Sequence, residues 1–162
     1  MKTIIVAATL SCLLIGCDLG ESFDRQAVTI EFALLSTSGM KRTAFTVPDT
    51  IIVRFRITNN SGKPLSYHYT GTPIILKILK AGSVVASSVD GMEFAQVIRG
   101  DVLQSGQSLG VDWRIPGMLP SGATDALQAG SYEAIALAGG VFDSFQVSHP
   151  GPIPFTMYPG GV

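Results

Sequence analysis

Cys17 is the residue whose surroundings most clearly indicate a chemical modification. It ends the segment 14–17, with sequence LIGC, after Lys2 and a mostly apolar run over residues 4–15. A positive residue, a short apolar stretch and a small residue before a cysteine are typical of a bacterial lipoprotein signal, in which the thiol receives a diacylglycerol. We therefore expect a mature chain that begins at Cys17 and is held to a membrane by acyl chains, palmitate among them.

Two other interpretations of residues 1–17 are an ordinary secretory signal and an uncleaved transmembrane anchor. The apolar run of about 12 residues is shorter than the roughly 20 that a helix needs to cross the hydrocarbon core. Cleavage without a lipid would leave a free thiol near the new N-terminus in an oxidising compartment. With Asp18 directly after the cysteine, the signal resembles those of lipoproteins that enteric-type bacteria retain in the inner membrane. This resemblance implies the outer side of the cytoplasmic membrane, which is the periplasmic face in a host with two membranes. The outer membrane is the alternative.

The mature sequence has no pattern typical of a catalytic, metal or cofactor site. Cys12 leaves with the signal and Cys17 is used by the lipid, so no thiol remains for a nucleophile, a disulfide or a metal. His68 and His149 lie far apart in the sequence, and there is no Gly-x-Ser-x-Gly elbow. Zinc spacing, a calcium loop and a phosphate loop are also missing. We therefore predict a protein that is not an enzyme and that binds no cofactor and no metal.

The composition indicates one domain built from strands. Without residues 1–16 the count of Lys and Arg falls from 11 to 10, against 12 Asp and Glu, so the net charge is −2. This balance favours neither nucleic acid nor an anionic lipid surface as an electrostatic partner. About 145 residues can bury nearly 70% of the extended-chain surface, which suits a domain without disulfides. Gly and Pro number 18 and 9, a content typical of short strands and turns.

Apolar residues alternate with polar ones along most of the chain, with the period of two that is typical of half-buried strands. Arg54 and Arg56 lie between large apolar residues, so we expect both to face solvent. Residues 80–83 are typical of a hairpin connection. The pattern predicts an all-β protein, an immunoglobulin-like Greek-key β-sandwich of about seven to nine strands. The predicted strands are 28–35, 51–58, 74–79, 84–85, 94–98, 109–115, 132–137 and 141–147.

The segments on either side of the sandwich differ from it in composition. We predict a signal at residues 1–16, the lipidated Cys17 with a polar tether at 17–26, the sandwich at 27–147, and a tail at 148–162. The tail contains four prolines, which disfavour a regular internal strand. We expect it to be extended and partly packed through Phe155 and Tyr158, rather than to be a ligand for an aromatic groove.

A spaced series of residues in the second half of the chain suggests a family. These residues are Phe94 and Gln96 in an F-x-Q segment, Gly106 in a Leu-x-x-Gly turn, Trp113 after that turn, and Gly130 and Tyr132 in a Gly-x-Tyr strand. The series resembles the intracellular proteinase inhibitors of the BsuPI family, and with earlier strands the likeness spans about residues 28–137. The resemblance implies an immunoglobulin-like fold and proteinase inhibition. That family's name-giving inhibitor is cytoplasmic, whereas this chain carries an export signal, so the fold transfers better than the activity.

Each residue of the series also has a structural interpretation. Residues 127–132 resemble the tyrosine corner of Greek-key sandwiches, in which the hydroxyl of Tyr132 would bind the main chain upstream. Trp113 is expected in the core or at its edge. Gln96 either satisfies main-chain groups inside the sandwich or contacts a partner.

Two functions remain open, both with an unidentified protein partner. The first is a binding module that uses the loops 59–72, 87–92 and 116–125, since loops on a rigid sandwich commonly carry recognition. His68 is expected to be an exposed residue of the first loop or of a strand end, and the alternative is that its neighbours Tyr67 and Tyr69 form a contact patch. The second is an inhibitor in which Met118 and Leu119, held between two prolines, enter the cleft of a proteinase. The competing interpretation is that these two residues cap the core.

Overall fold

The computed structural model describes residues 28–119, 122–124, 126–139, 141–142 and 149–161. Every regular element within these ranges is a β-strand, which confirms the predicted all-β class. The predicted signal, Cys17 and the tether lie outside the described residues. The strands are β1 (Val28–Leu35), β2 (Ala44–Thr46), β3 (Ile51–Asn59), β4 (Leu65–Thr70), β5 (Ile74–Lys80), β6 (Ser83–Ser87), β7 (Ile98–Leu103), β8 (Ser108–Ile115), β9 (Gly117–Leu119), β10 (Gly122–Thr124), β11 (Gly130–Ala138), β12 (Val141–Phe142) and β13 (Ile153–Tyr158).

The strands form a β-sandwich around one main core. One sheet has the order β1–β3–β8, a second has the order β2–β13–β11–β5–β6, a third has the order β12–β4–β7, and β9 pairs with β10. Phe55 of β3, Leu76 of β5 and Ala136 of β11 are buried in the same apolar cluster, so the first two sheets face each other. Four of the thirteen strands have three residues or fewer, and the other nine agree with the expected seven to nine. The immunoglobulin-like Greek-key connection stays a prediction.

β3 follows the predicted alternation. Val53, Phe55 and Ile57 are buried, and the two arginines between them point away from the core, as expected. Burying a side chain of this size contributes about 1.5–3 kcal/mol. On the outer face, Arg54 donates two hydrogen bonds to the carboxylate of Asp112, at 2.8 and 2.6 Å. This hydrogen bonding is the main reason why the pKa of Asp112 lies below its ordinary value.

The hairpin predicted at residues 80–83 is confirmed. Lys80 pairs with Ser83, so β5 and β6 are joined by the two residues Ala81 and Gly82. Both have positive φ angles, of +49° and +79°. This is the requirement of a type I′ turn, whose twist matches that of the two strands.

The prediction of a strand at residues 94–98 is wrong. Residues 92–97 are irregular, and β7 begins at Ile98 and continues to Leu103. The sequence pattern did not predict a strand at residues 98–103, because β7 contains Gly100 and Asp101, two residue types that are rare in strands. The strand nevertheless forms because β4 pairs with it along its whole length.

The prediction of a tail at residues 148–162 is also wrong, because β13 lies between β2 and β11 inside a sheet. Phe155 packs in the core as expected, together with Met157, whereas Tyr158 is exposed. The sandwich predicted to end at residue 147 therefore extends to Tyr158.

The position of Pro154 explains how a proline-rich segment forms an internal strand. The N–H of Thr156 donates to the carbonyl of Thr43, on the side of β2. Main-chain groups alternate in direction along a strand, so the nitrogen of Pro154 lies on that same side. β2 pairs only with residues 156–158, so no strand residue is opposite the nitrogen of Pro154. Proline therefore removes no hydrogen bond of the sheet.

Two aromatic predictions are confirmed. The hydroxyl of Tyr132 donates to the carbonyl of Gln128 at 2.8 Å, which is the contact of a tyrosine corner. Trp113 is buried in the core, where its Nε1 has no hydrogen-bond partner among the described residues.

Of the predicted strand 141–147, the first two residues form β12, and residues 143–147 lie outside the described part of the chain.

Asn59 is a fully buried polar residue at the end of β3. Its side-chain nitrogen donates to the carbonyls of Lys63 and Leu103 at 2.7 and 2.8 Å. Its side-chain oxygen accepts hydrogen bonds from the main-chain N–H and the hydroxyl of Ser61, at 2.9 and 2.7 Å. Its own N–H donates to the carbonyl of Gln107 at 3.0 Å. Asn59 therefore connects β3 to the turn before β4 and to the turn between β7 and β8.

Replacing Asn59 with alanine should lower the free energy of unfolding by about 3 kcal/mol, because two carbonyls and a main-chain N–H lose a buried partner. The matched control is Asn60→Ala, since Asn60 is exposed and its side chain donates to the hydroxyl of Thr29. We expect this control to cost less than about 1 kcal/mol. Urea unfolding of both variants measures the difference, and equal losses would contradict the role of Asn59.

Candidate functional site

β7 lies at the edge of the third sheet, and its apolar side chains face solvent. Within the described chain it pairs with β4 alone. Five of its six residues are exposed, with Ile98 at 75% and Val102 at 42% exposure. Phe94 and Val97, in the segment before the strand, are exposed as well. We name Phe94, Val97, Ile98 and Val102 the β7 surface.

Phe94 is held next to the start of β7 by Gly71. A Cβ atom on Gly71 would lie 3.0 Å from Cγ of Phe94, so the ring rests directly on the glycine backbone. Gly71 also has a φ of +72°, which other residues rarely adopt. Thr70 precedes this glycine and pairs with Ile98. The irregular segment before β7 is thus fixed beside the strand, and its apolar residues extend the surface.

His68 lies on the same face of the sheet as Ile98 and Val102. It pairs with Gly100, and a Cβ atom on that glycine would be only 2.9 Å from Nδ1 of the imidazole. The ring therefore covers Gly100, between the two apolar residues of β7. This arrangement requires a residue without a side chain at position 100, and Ser66 and Thr70 lie on the same face, paired with Val102 and Ile98.

The opposite face of β4 and β7 carries the charged Arg99 and Asp101 together with the buried Leu65, Tyr67 and Leu103. The hydroxyl of Tyr67 donates to Oδ2 of Asp101 at 3.3 Å, and its ring stacks on that of Tyr69 with centroids 5.7 Å apart. Tyr67 is buried and Tyr69 half-buried, so the tyrosines considered as a contact patch face inward. Burial raises the pKa of Tyr67 to about 12, with smaller contributions from the charge of Asp101 and the hydrogen bond to it. Tyr67 therefore stays a neutral donor to β7 at physiological pH.

Of the family-pattern residues, Phe94 alone belongs to the β7 surface. Gln96 is exposed in the segment 92–97, so its predicted role inside the sandwich is wrong. The others are spread over different elements and have structural positions. They are Gly106 in the turn 104–107, Gly130 at the start of β11, and the buried Trp113 and Tyr132.

Two of the three loops predicted to bind a partner contain strands. Residues 59–72 include β4, and residues 116–125 include the hairpin of β9 and β10. In that hairpin Met118 pairs with Ala123, and Leu119 pairs with Gly122. Met118 and Leu119 thus have extended backbone in a hairpin instead of the irregular loop that the sequence suggested.

The residues of β7 that sequence reasoning missed carry a weak signal. Ile98, Gly100 and Val102 alternate with Arg99 and Asp101, which is the period of two expected for a strand. The glycine and the aspartate hide this alternation, because both disfavour strands.

The described residues hold no group of three or more His, Cys, Asp or Glu side chains that could bind a metal ion. The two histidines occupy separate positions, since His68 lies on β4 and Nδ1 of His149 accepts the N–H of Ala138 at 3.5 Å. In the same part of the chain, no helix has the length and apolar character needed to cross a membrane.

No protein-family model matches the chain, and no curated protein matches it. Among solved structures it is similar over 82% of its length to the alkylpurine DNA glycosylase AlkC of Pseudomonas fluorescens bound to DNA containing an abasic site analog, with 11% identity and a TM-score of 0.39. It is similar over 80% of its length to a beta-glucosidase from Listeria innocua in complex with glucose, with 12% identity and a TM-score of 0.37. The chain spans 30% and 16% of these two proteins. At these TM-scores the similarity identifies neither a family nor an activity.

A tyrosinate absorbance titration should reveal one group with a pKa of about 12, which is Tyr67. An ordinary tyrosine ionises near 10, so the fold favours the protonated form, and the stability that Tyr67 contributes is lost as the pH rises from about 10 to 12. In Asp101→Asn the pKa should fall yet stay above 10, because burial is the largest cause. Tyr67→Phe is the control that removes the group. A high-pKa group that persists in this control would contradict the assignment.

Proposed function

We propose that the protein is a lipid-anchored, non-catalytic binding module of the bacterial cell envelope. Cys17 carries the lipid that holds the chain on the outer side of the cytoplasmic membrane. Residues 18–27 then separate the lipid from β1, and ten extended residues reach at most about 35 Å. This length allows the sandwich to stand clear of the lipid surface and to meet a partner.

The observation that carries the proposal is the exposure of the β7 surface. A strand at the edge of a sheet is a template for another chain, and proteins usually protect such edges with charges, prolines or a covering segment. Here Ile98 is 75% exposed on the edge strand, and Val102 and Phe94 are exposed near it. An extended segment of a partner can add to such an edge through main-chain hydrogen bonds, while the apolar side chains supply contact area.

A proteinase inhibitor is the second candidate, and the hairpin of β9 and β10 supports it. Met118 and Leu119 lie in an extended strand paired with residues 122–124. A paired, extended segment loses less conformational entropy on entering a cleft than an irregular loop does.

Cys17→Ala should move the protein from the membrane fraction to the soluble fraction, because removing the thiol removes the attachment point of the lipid. The matched control is Cys12→Ala, which removes a thiol inside the signal and should leave the location unchanged. Cell fractionation followed by immunoblotting measures both. Membrane retention of Cys17→Ala would refute the lipid anchor.

Photo-cross-linking in the intact envelope tests the binding surface. A photoreactive amino acid replaces Ile98, Met118 or Thr37 in the full chain, and Thr37 is an exposed control in the turn after β1. A binding module that uses the β7 surface gives cross-linked protein at position 98 and none at 37. An inhibitor gives an adduct with a proteinase at position 118 instead. The absence of adducts at both 98 and 118 would contradict both functions.

A further inference from the structure

We infer that the partner of the β7 surface is the β7 strand of a second copy of this chain, paired antiparallel about a two-fold axis. This inference rests on the proposed binding function and identifies its partner. It derives from the order of side chains along one exposed edge strand, Ile98–Leu103.

The first step is self-complementarity. Residues 98–102 read Ile-Arg-Gly-Asp-Val. In an antiparallel pair with the axis at Gly100, Ile98 lies opposite Val102 of the second copy, and Arg99 lies opposite Asp101 of the second copy. Each of these contacts occurs twice, as required in a symmetric interface. Apolar and opposite-charge pairs directly across strands both stabilise a sheet.

The second step is the register. Sliding one strand by two residues in one direction places Arg99 opposite Arg99 of the second copy, and sliding in the other direction places Asp101 opposite Asp101. Like charges directly opposite destabilise a strand pair. A slip by one residue moves apolar side chains to the charged face. The register centred on Gly100 is therefore favoured over its neighbours.

The third step is the direction of the main chain. The N–H of Val102 donates to Oδ1 of Asp101 at 2.7 Å, which places it on the side away from β4. Because main-chain groups alternate along a strand, those of Ile98 and Gly100 point away from β4 as well. These are the three residues that would exchange hydrogen bonds with the second copy. The contact to Asp101 is exposed, and its release frees Oδ1 of the carboxylate for Arg99 of the second copy.

The size of the contact explains why the anchor matters. Five residues of paired strand, with Phe94 and Val97 beside them, form a smaller contact than the roughly 1,000 Å² of a stable interface. Attachment of both copies to one membrane confines them to a thin layer and raises their effective concentration. We therefore expect dimers in the membrane.

Disulfide cross-linking of the membrane-bound full chain tests this register. Paired residues 98 and 102 of two copies would have Cα atoms about 5.5 Å apart, within the range that a disulfide bridges. Within one copy they are separated by about 13 Å, so no internal bridge can form. Ile98→Cys combined with Val102→Cys should give dimers on mild oxidation. Each single variant, and the chain without added cysteines, should form no disulfide-linked dimer.

Charge reversal tests the ion pairs in the same assay. Arg99→Asp places acidic residues opposite each other and should lower dimer yield about tenfold. Combining Arg99→Asp with Asp101→Arg restores opposite charges and should recover most of the yield. Circular dichroism and thermal unfolding of each variant show whether the fold is kept.

The outcomes separate the inference from the proposed function. Absence of a 98–102 disulfide in folded double-cysteine protein overturns the inference, as does a dimer yield that does not respond to Arg99→Asp. If the photoreactive group at position 98 then captures a different protein, the binding function stands with another partner. If it captures nothing, the binding function fails as well.

Discussion

The buried side chain of Asn59 is the polar contact on which the arrangement of the sheets depends. It lies at the end of β3, and its amide nitrogen binds the carbonyls of Lys63 and Leu103. Lys63 precedes β4 and Leu103 ends β7, so one side chain joins the central strand of the first sheet to both long strands of the third. A different arrangement of these strands would leave the buried amide of Asn59 without its partners, and each unpaired group would cost about 1–3 kcal/mol. Apolar burial supplies most of the free energy of folding, and the hydrogen bonds of Asn59 fix the positions of β4 and β7 relative to β3.

This constraint gives β7 a fixed position although its own residues contribute little to the core. Leu103 is its one buried residue. The strand is held at one end by Asn59, in the middle by the hydroxyl of Tyr67 on Asp101, and at the other end by pairing with Thr70. Its exposed face can therefore be ordered without being buried. An ordered surface loses less entropy on binding than a flexible loop does.

The sequence was a good guide wherever burial and alternation coincided. β3, β5, β8 and β11 lie where the pattern predicted them, and the contact of Tyr132 with the main chain was predicted from six residues. The predictions failed where pairing overrides local propensity. β13 forms despite Pro154, because the sheet leaves its nitrogen without a strand partner, and β7 forms despite Gly100. Neither fact is visible in the segment alone, since both depend on a neighbour distant in sequence. The exposed site could not be found for the same reason, because exposure of Ile98 follows from which strand lies beside β7.

The composition of β7 also resolves a conflict between two demands on an edge strand. An exposed apolar edge gives contact area, but without further features it would pair with almost any extended chain. Arg99 and Asp101 limit this, because a wrong register or a wrong partner places one of these charges against a like charge or an apolar group. Gly100 leaves room for the imidazole of His68, whose Nδ1 would lie 2.9 Å from a Cβ atom at that position, at the cost of local strand propensity. Gly100 and Asp101, which hid β7 from the sequence pattern, thus each have a specific place on this edge, and β4 and Asn59 offset their low strand propensity.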